Sequence, residues 1–312
     1  MNNFKVSFLI CFLFLFVFSS LLTPVLAWTV SPVRFEVKGL KGKEYTLTFS
    51  VLNESQLYKK RFEIQLDDWI INKNNNFLRK AFNKEVDNKY SASSWIKVTP
   101  QQFVVNPGET KNVRFTITIP RELPSEGEYS TGIFVGEKNI EKPLKGEKIV
   151  HIKQDTFIGV IVYVRIGKEN SETTLKNLNA EAKPHSKDLT KVTLLPAFEN
   201  HGNVHSRGQI LVMIEPVLIP GTQNPTQIPK EFNAGELVVL RESEVTYPVD
   251  IPVPLPTNTE WKFTVSTDFG GDIPVLVGTK KYRVPFIEQK KESKQVEEKV
   301  RGSVKQETPV KN

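Results

Sequence analysis

The chain has 312 residues, with 42 lysines and arginines against 35 aspartates and glutamates, for a formal net charge of +7. Its single cysteine, Cys11, falls in the first 27 residues. The chain from Trp28 onward therefore has no thiol, which excludes disulfide scaffolds, thiol catalysis, thiolate metal sites and dithiol redox chemistry.

Residues 1–27 read as a secretory signal. Lys5 supplies the positive start, Phe8 to Leu22 the apolar run, and Val25-Leu26-Ala27 the small-residue cleavage site. The mature chain would begin at Trp28 and be periplasmic, with a cell-surface location as an alternative. An uncleaved N-terminal anchor over Val6 to Trp28 also stays open. Export makes nucleic acid an unexpected partner; the mild basic excess fits anionic envelope surfaces or acidic protein patches, or simply solubility.

From Val33 onward strand follows strand at period two. Val33, Phe35 and Val37 alternate with Arg34, Glu36 and Lys38, and Leu47, Phe49 and Val51 with Thr46, Thr48 and Ser50. Phe62, Ile64 and Leu66 form the next run. The polar stretch Asn72 to Ser94, with its Asn74-Asn75-Asn76, predicts a long inserted loop holding at most a short helix. Val113, Phe115, Ile117 and Ile119 alternate with Arg114, Thr116 and Thr118. Gly127-Glu128-Tyr129 then opens the strand ending at Val135, where a tyrosine corner would sit. Some seven short strands in about a hundred residues predict an immunoglobulin-like sandwich over 28–167.

The last strand of that unit differs from the rest. Ile158, Val160, Val162, Val164 and Ile166 lie on one face, and Phe157, Ile161 and Tyr163 on the other. A strand apolar on both faces is either buried between two layers or open to a further surface.

Beyond it the chain repeats itself at one constant spacing. Ile117-Thr-Ile-Pro120 is echoed by Val249-Asp-Ile-Pro252, Leu123-Pro124 by Leu255-Pro256, and Glu128-Tyr129 by Glu260-Trp261. Asn106-Pro-Gly-Glu109 matches Asn233-Ala-Gly-Glu236 at a slightly shorter spacing. These echoes predict a second sandwich of the same kind over 171–287, with strands near Val192–Phe198, Gln209–Ile214, Leu237–Leu240, Val245–Ile251, Trp261–Ser266 and Lys281–Val284. Residues 288–312 are rich in Lys and Glu without aromatics and predict a disordered charged tail. The expected fold is all-β: two tandem immunoglobulin-like β-sandwich domains after a signal peptide.

Chemistry-bearing motifs are sparse. His201 and His205 are four residues apart, but Asn200, Gly202 and Asn203 make the segment a turn, so they read as surface histidines and no metal site is expected. Asp67-Asp68 at a strand end reads as satisfying loop amides. Asp268-Phe-Gly-Gly-Asp272 lacks the spacing of a phosphate or calcium loop. No nucleophile or zinc motif occurs, so the expectation is a protein without cofactor that is not an enzyme.

Val30-Ser-Pro-Val-Arg-Phe-Glu-Val37, Phe49-Ser-Val-Leu-Asn53, Trp95-Ile-Lys-Val-Thr-Pro100 with Phe103, Thr116 to Pro120, and Tyr163-Val-Arg165 together resemble the N-terminal domain of the periplasmic pilus (fimbrial) assembly chaperones, the PapD-like family. The resemblance covers about Trp28 to Ile166. Glu199-Asn-His-Gly-Asn203 and Ser266-Thr-Asp-Phe-Gly-Gly271 look like sandwich domains of bacterial surface and assembly proteins. The resemblance implies binding of secreted, pilin-like, β-rich subunits by β-strand addition, with Ile158, Val160, Val162, Val164 and Ile166 as the inserted row and an outer-membrane usher as a further partner. It also implies a basic pair for the subunit's C-terminal carboxylate. Arg34 fits the first member, whereas the second falls at or near Gly159, and no lysine lies between Phe157 and Ile166. The alternative is a structural or adhesive envelope protein whose strand Phe157–Ile166 is buried between its domains.

Overall fold

The computed structural model describes residues 28–81, 89–138, 156–217, 231–271 and 273–286. The predicted signal at 1–27 and tail at 288–312 lie outside the described residues.

The first sandwich contains β1 (Trp28–Ser31), β2 (Arg34–Gly39), β3 (Glu44–Asn53), β4 (Lys60–Ile71), β5 (Phe77–Ala81), β6 (Ile96–Thr99), β7 (Gln102–Val105), β8 (Thr110–Thr118), β9 (Gly127–Glu137) and β10 (Phe157–Ile166). One sheet runs β1-β3-β8-β6; the other runs β2-β10-β9-β4-β5, with β7 also on β4. Alternation supplies the core: Phe49 and Val51, Phe62, Val113, Phe115 and Ile117, Ile133 and Val135 all meet between the sheets without solvent exposure. The chain changes sheet between β1 and β2 at Pro32, a residue with no N–H to leave unpaired.

The stretch Asn72–Ser94 is not merely a loop. β4 and β5 form a hairpin, pairing Ile71 with Phe77 through Asp67 with Ala81. The asparagine cluster makes its turn: Asn75 adopts φ 59°, and the Asn72 Oδ1 accepts from the N–H groups of Asn74 (3.0 Å) and Asn76 (2.9 Å). Asp68 then accepts from the hydroxyls of Ser91 (2.6 Å) and Ser93 (2.9 Å), which fixes the returning chain. Tyr129 forms the expected corner, donating its hydroxyl to the Ser125 carbonyl at 2.8 Å.

The second sandwich contains β11 (Thr173–Pro184), β12 (Leu189–Asn200), β13 (Ser206–Pro216), β14 (Glu231–Val239), β15 (Ser243–Thr246), β16 (Val249–Asp250), β17 (Leu255–Pro256), β18 (Glu260–Asp268) and β19 (Leu276–Arg283). β11, β15, β16 and β17 pair with β12 in one sheet, and the other runs β14-β13-β18-β19. The pairings repeat those of the first unit: β12 stands where β3 does, β13 for β4, β14 for β7, β18 for β9 and β19 for β10. A buried asparagine marks the equivalence. Asn53 Nδ2 donates to the Val105 carbonyl (3.1 Å) and its Oδ1 accepts from Ser55 N–H (3.1 Å); Asn200 Nδ2 donates to Val239 (3.2 Å) and its Oδ1 accepts from Gly202 N–H (2.8 Å).

One element of the sequence repeat is corrected. Asn106–Glu109 is the turn between β7 and β8, whereas Asn233–Glu236 lies inside β14 at a bulge where Gly235 has φ 102°. The structural counterpart of the first turn is the bend at Arg241 and Glu242, where Glu242 takes the positive φ (50°).

Candidate functional site

β10 lies between two strands for only part of its length. On one side it is antiparallel to β9 throughout, from Phe157 opposite Gly136 to Ile166 opposite Gly127. On the other it is parallel to β2, but only from Ile161 (opposite Arg34) to Ile166 (opposite Gly39). The ladder starts where the Ile161 N–H donates to the Val33 carbonyl at 2.9 Å. Among the described residues, no strand pairs with that side of Phe157–Val160. By ladder alternation, Phe157 and Gly159 turn their N–H and C=O groups toward this open edge. Val33, 48% exposed, lies beside it.

The two faces of β10 have different covers. Val160, Val162, Val164 and Ile166 point into the first sandwich and are core residues. Ile158, at the mouth, is only partly buried against them. The row that the resemblance marks for insertion is therefore largely used by the chain's own core, because the pleat that pairs β10 with β9 and β2 turns these side chains inward. Val160, Val162, Val164 and Ile166, expected from the resemblance as an inserted row, are interior side chains in this structure.

The opposite face is covered by the second sandwich. Tyr163 is 2% exposed, its ring 4.2 Å from that of His205 and 5.9 Å from that of Trp69. Burial holds its phenol well above the usual range. Trp69, Phe134 and Tyr163 form a small separate core with Leu240 of the second unit packed against it. Toward the open end the sheet is floored with glycine. The rings of Phe134 and Phe157 lie over Gly132 and Gly136, and the Arg79 guanidinium sits 4.4 and 4.3 Å from those two rings. A Cβ on Gly159 would come 3.0 Å from the Phe134 ring. A side chain at this position, lysine included, would crowd the Phe134 ring.

Polar groups fasten the junction. The Glu128 carboxylate, 3% exposed as a residue, accepts from Arg165 Nε (3.0 Å) and lies 2.7 Å from His205 Nδ1. The Glu128 N–H donates to the Asn203 carbonyl (2.8 Å), and Arg241 Nη1 donates to the Glu128 carbonyl (2.8 Å). Gly127 is required here twice over, since it has φ 111° and a Cβ would overlap Asn203. The Arg241 guanidinium also lies 3.5 Å from the Tyr90 ring, and the Tyr90 hydroxyl donates to Glu242 at 2.8 Å. The turn pattern of the sequence puts both histidines on the surface. His201 is exposed, but His205 is buried because the turn carrying it docks onto Glu128. Its only signal in the sequence is as a partner for an acidic group far away in the chain.

Beside this junction a cleft of about 520 Å³ opens between the units, lined by Glu36, Arg165, Glu169, Ser206, Arg207 and Gly270 among others. Arg34 stands on β2 on the same outer face. It is partly exposed, with Nε 3.6 Å from Glu36 and Nη1 3.9 Å from Glu236. Asp67 pairs with Arg79. Among the described residues, no three metal-ligating side chains come together, and no helix is long and apolar enough to cross a membrane.

No protein-family model matches the chain, and no curated protein does. Solved structures of fimbrial chaperones are similar to it. The class 5 fimbriae chaperone CfaA is 12% identical over 83% of this chain and 100% of its own, with a TM-score of 0.36. A chain of the CsuC–CsuE chaperone–tip adhesion subunit pre-assembly complex from the archaic Csu pili of Acinetobacter baumannii is 12% identical over 81% and 97%, with a TM-score of 0.40. A chain of the Salmonella enterica SafA pilin–SafB chaperone complex is 13% identical over 82% and 97%, with a TM-score of 0.36.

Proposed function

We propose that this protein is a non-enzymatic, periplasmic chaperone-like protein that binds a secreted, pilin-like subunit by β-strand addition at the open end of β10. The observation that carries this reading is the half-paired strand. Phe157–Val160 offers main-chain donors and acceptors at a sheet edge, with Val33, Phe157 and Ile161 as an apolar lip and Ile158 at the sandwich mouth. A guest strand gains affinity from the ladder and specificity from side chains it places beside that lip. In this proposal the contacts are the outward main-chain groups of Phe157 and Gly159 together with the side chains of Phe157 and Ile158. Val162, Val164 and Ile166 keep the strand rigid rather than entering a groove. Arg34, opposite Ile161 where the ladder with β2 begins, is the anchor for a C-terminal carboxylate. An outer-membrane usher is a further partner in this reading.

The sealed outer face of β10 favours a second reading, a structural or adhesive envelope protein whose two sandwiches form one stiff unit. Co-purification with strand-deficient subunits separates the two. Val162→Asp is unsuitable because Val162 is core. Val33→Asp puts a charge on the exposed apolar lip beside the open edge, and Ile158→Asp places a charge at the mouth. Strand addition predicts that both variants keep the wild-type melting temperature within a few degrees and lose the subunit. Retention of the subunit by both folded variants would refute it and leave the second reading.

A further inference from the structure

Glu236 lies on β14 in the second sandwich, opposite Gln209, and its carboxylate reaches across the junction. A single oxygen, Oε1, contacts Arg207 Nη1 and lies 3.9 Å from Arg34 Nη1. One carboxylate oxygen thereby serves a guanidinium from each unit. Arg207 lines the cleft, and its Nε is buried without a hydrogen-bond partner. A guanidinium with an unused N–H matches a carboxylate that approaches with two oxygens, which Glu236 from its present position does not supply.

The charges around the cleft balance. Arg34, Lys38, Arg165 and Arg207 face Glu36, Glu128, Glu169 and Glu236, joined in one alternating chain of ion pairs. An incoming anion finds no spare cation here until one internal carboxylate leaves. Glu236 has the most exposed side chain of the four (42%, against 37% for Glu36, 30% for Glu169 and 4% for Glu128), and its 3.9 Å contact with Arg34 is the longest in the chain of pairs. Glu236 is the carboxylate most easily exchanged.

We infer that Glu236 is an internal stand-in for a subunit's C-terminal carboxylate. It occupies Arg34 and Arg207 in the empty protein and yields them when the incoming carboxylate arrives. The exchange breaks the Arg34–Glu236 contact between the two sandwiches, so capture is coupled to loosening of the elbow on that side. This inference rests on the reading of Arg34 as a carboxylate anchor.

The test uses the mature chain and two probes, the peptide acetyl-Thr-Val-Thr-Val-Phe with a free C-terminal carboxylate and its C-terminal amide, titrated calorimetrically at low salt. Glu236→Gln should tighten the acid by about fivefold, the worth of one partly exposed ion pair, leave the amide unchanged, and lose the gain when Arg34→Ala is added. If Glu236→Gln leaves the acid unchanged or tightens both peptides alike, the stand-in role is overturned. If Arg34→Ala leaves any wild-type preference for acid over amide intact, the anchor reading itself fails. Absence of binding to every variant overturns both.

Discussion

Glu128→Ala tests whether the junction is held by its buried charges. The variant removes the acceptor of Arg165 Nε (3.0 Å) and the partner of His205 Nδ1 (2.7 Å), and leaves the His205 main-chain N–H, 3.3 Å from Oε1, without that contact. Breaking a buried pair by removing one partner costs about 3–5 kcal/mol. The lower end applies here, because Arg165 keeps Glu36 (3.4 Å) and Glu169 (3.5 Å) and lies toward the solvent side. A loss of about 3 kcal/mol corresponds to roughly a hundredfold shift in the docked population. Urea unfolding read by tryptophan fluorescence checks the size, since Trp69 is buried in the small junction core; small-angle scattering reads the opening of the elbow. A cycle with His205→Ala isolates the pair, and strong non-additivity is expected because the groups are in contact. A loss below about 0.5 kcal/mol, the scale of an ordinary surface substitution, or additive single effects, would refute the assignment of docking energy to Glu128.

Gly132→Ala should destabilise the first sandwich by about 1–3 kcal/mol, as overpacking does, because the new Cβ overlaps the ring of Phe134; an unchanged urea midpoint would contradict the glycine floor. The junction should also weaken in acid through Glu242. Partial burial raises its pKa, but the hydrogen bond from Tyr90 and the charge of Arg241 outweigh that, so its pKa is lowered from 4.5. A lowered folded-state value means that its contribution is present above the ordinary carboxylate range and is lost as pH falls through the folded value. The difference in urea midpoint between wild type and Glu242→Gln should therefore shrink as pH falls below 4.5; a constant difference would exclude the mechanism.

The strands with strict alternation are legible in the sequence because one face meets the core and the other water, as in Phe49–Val51 and Val113–Ile117. The two-faced pattern of β10 is legible as well, but not what covers it. The inner cover follows from the local pleat; the outer cover comes from His205 and Leu240, whose arrival depends on how two sandwiches dock. β11 escapes a reading by periodicity because Thr173–Pro184 is an edge strand rich in polar residues, and β5 because a cluster of asparagines signals a loop while also making a tight hairpin. Arg34 stands out by its place on the first strand, yet its partner Glu236 lies in the other unit, beyond any local spacing rule. Gly159 looks like a missing lysine in the sequence, when the constraint on it is the ring of Phe134 across the ladder.

The parallel pairing of β2 and β10 has a mechanical consequence. These strands stand near the start and at the end of the first sandwich, and the second unit comes directly after β10. A pull applied at the beginning of β2 and transmitted through the second unit loads the pair along its length, so the hydrogen bonds from Ile161 to Ile166 must yield together rather than unzip one by one. Forced unfolding is governed by that barrier and not by equilibrium stability. The strand whose open end is proposed to receive a guest is thereby braced against tension along its paired half.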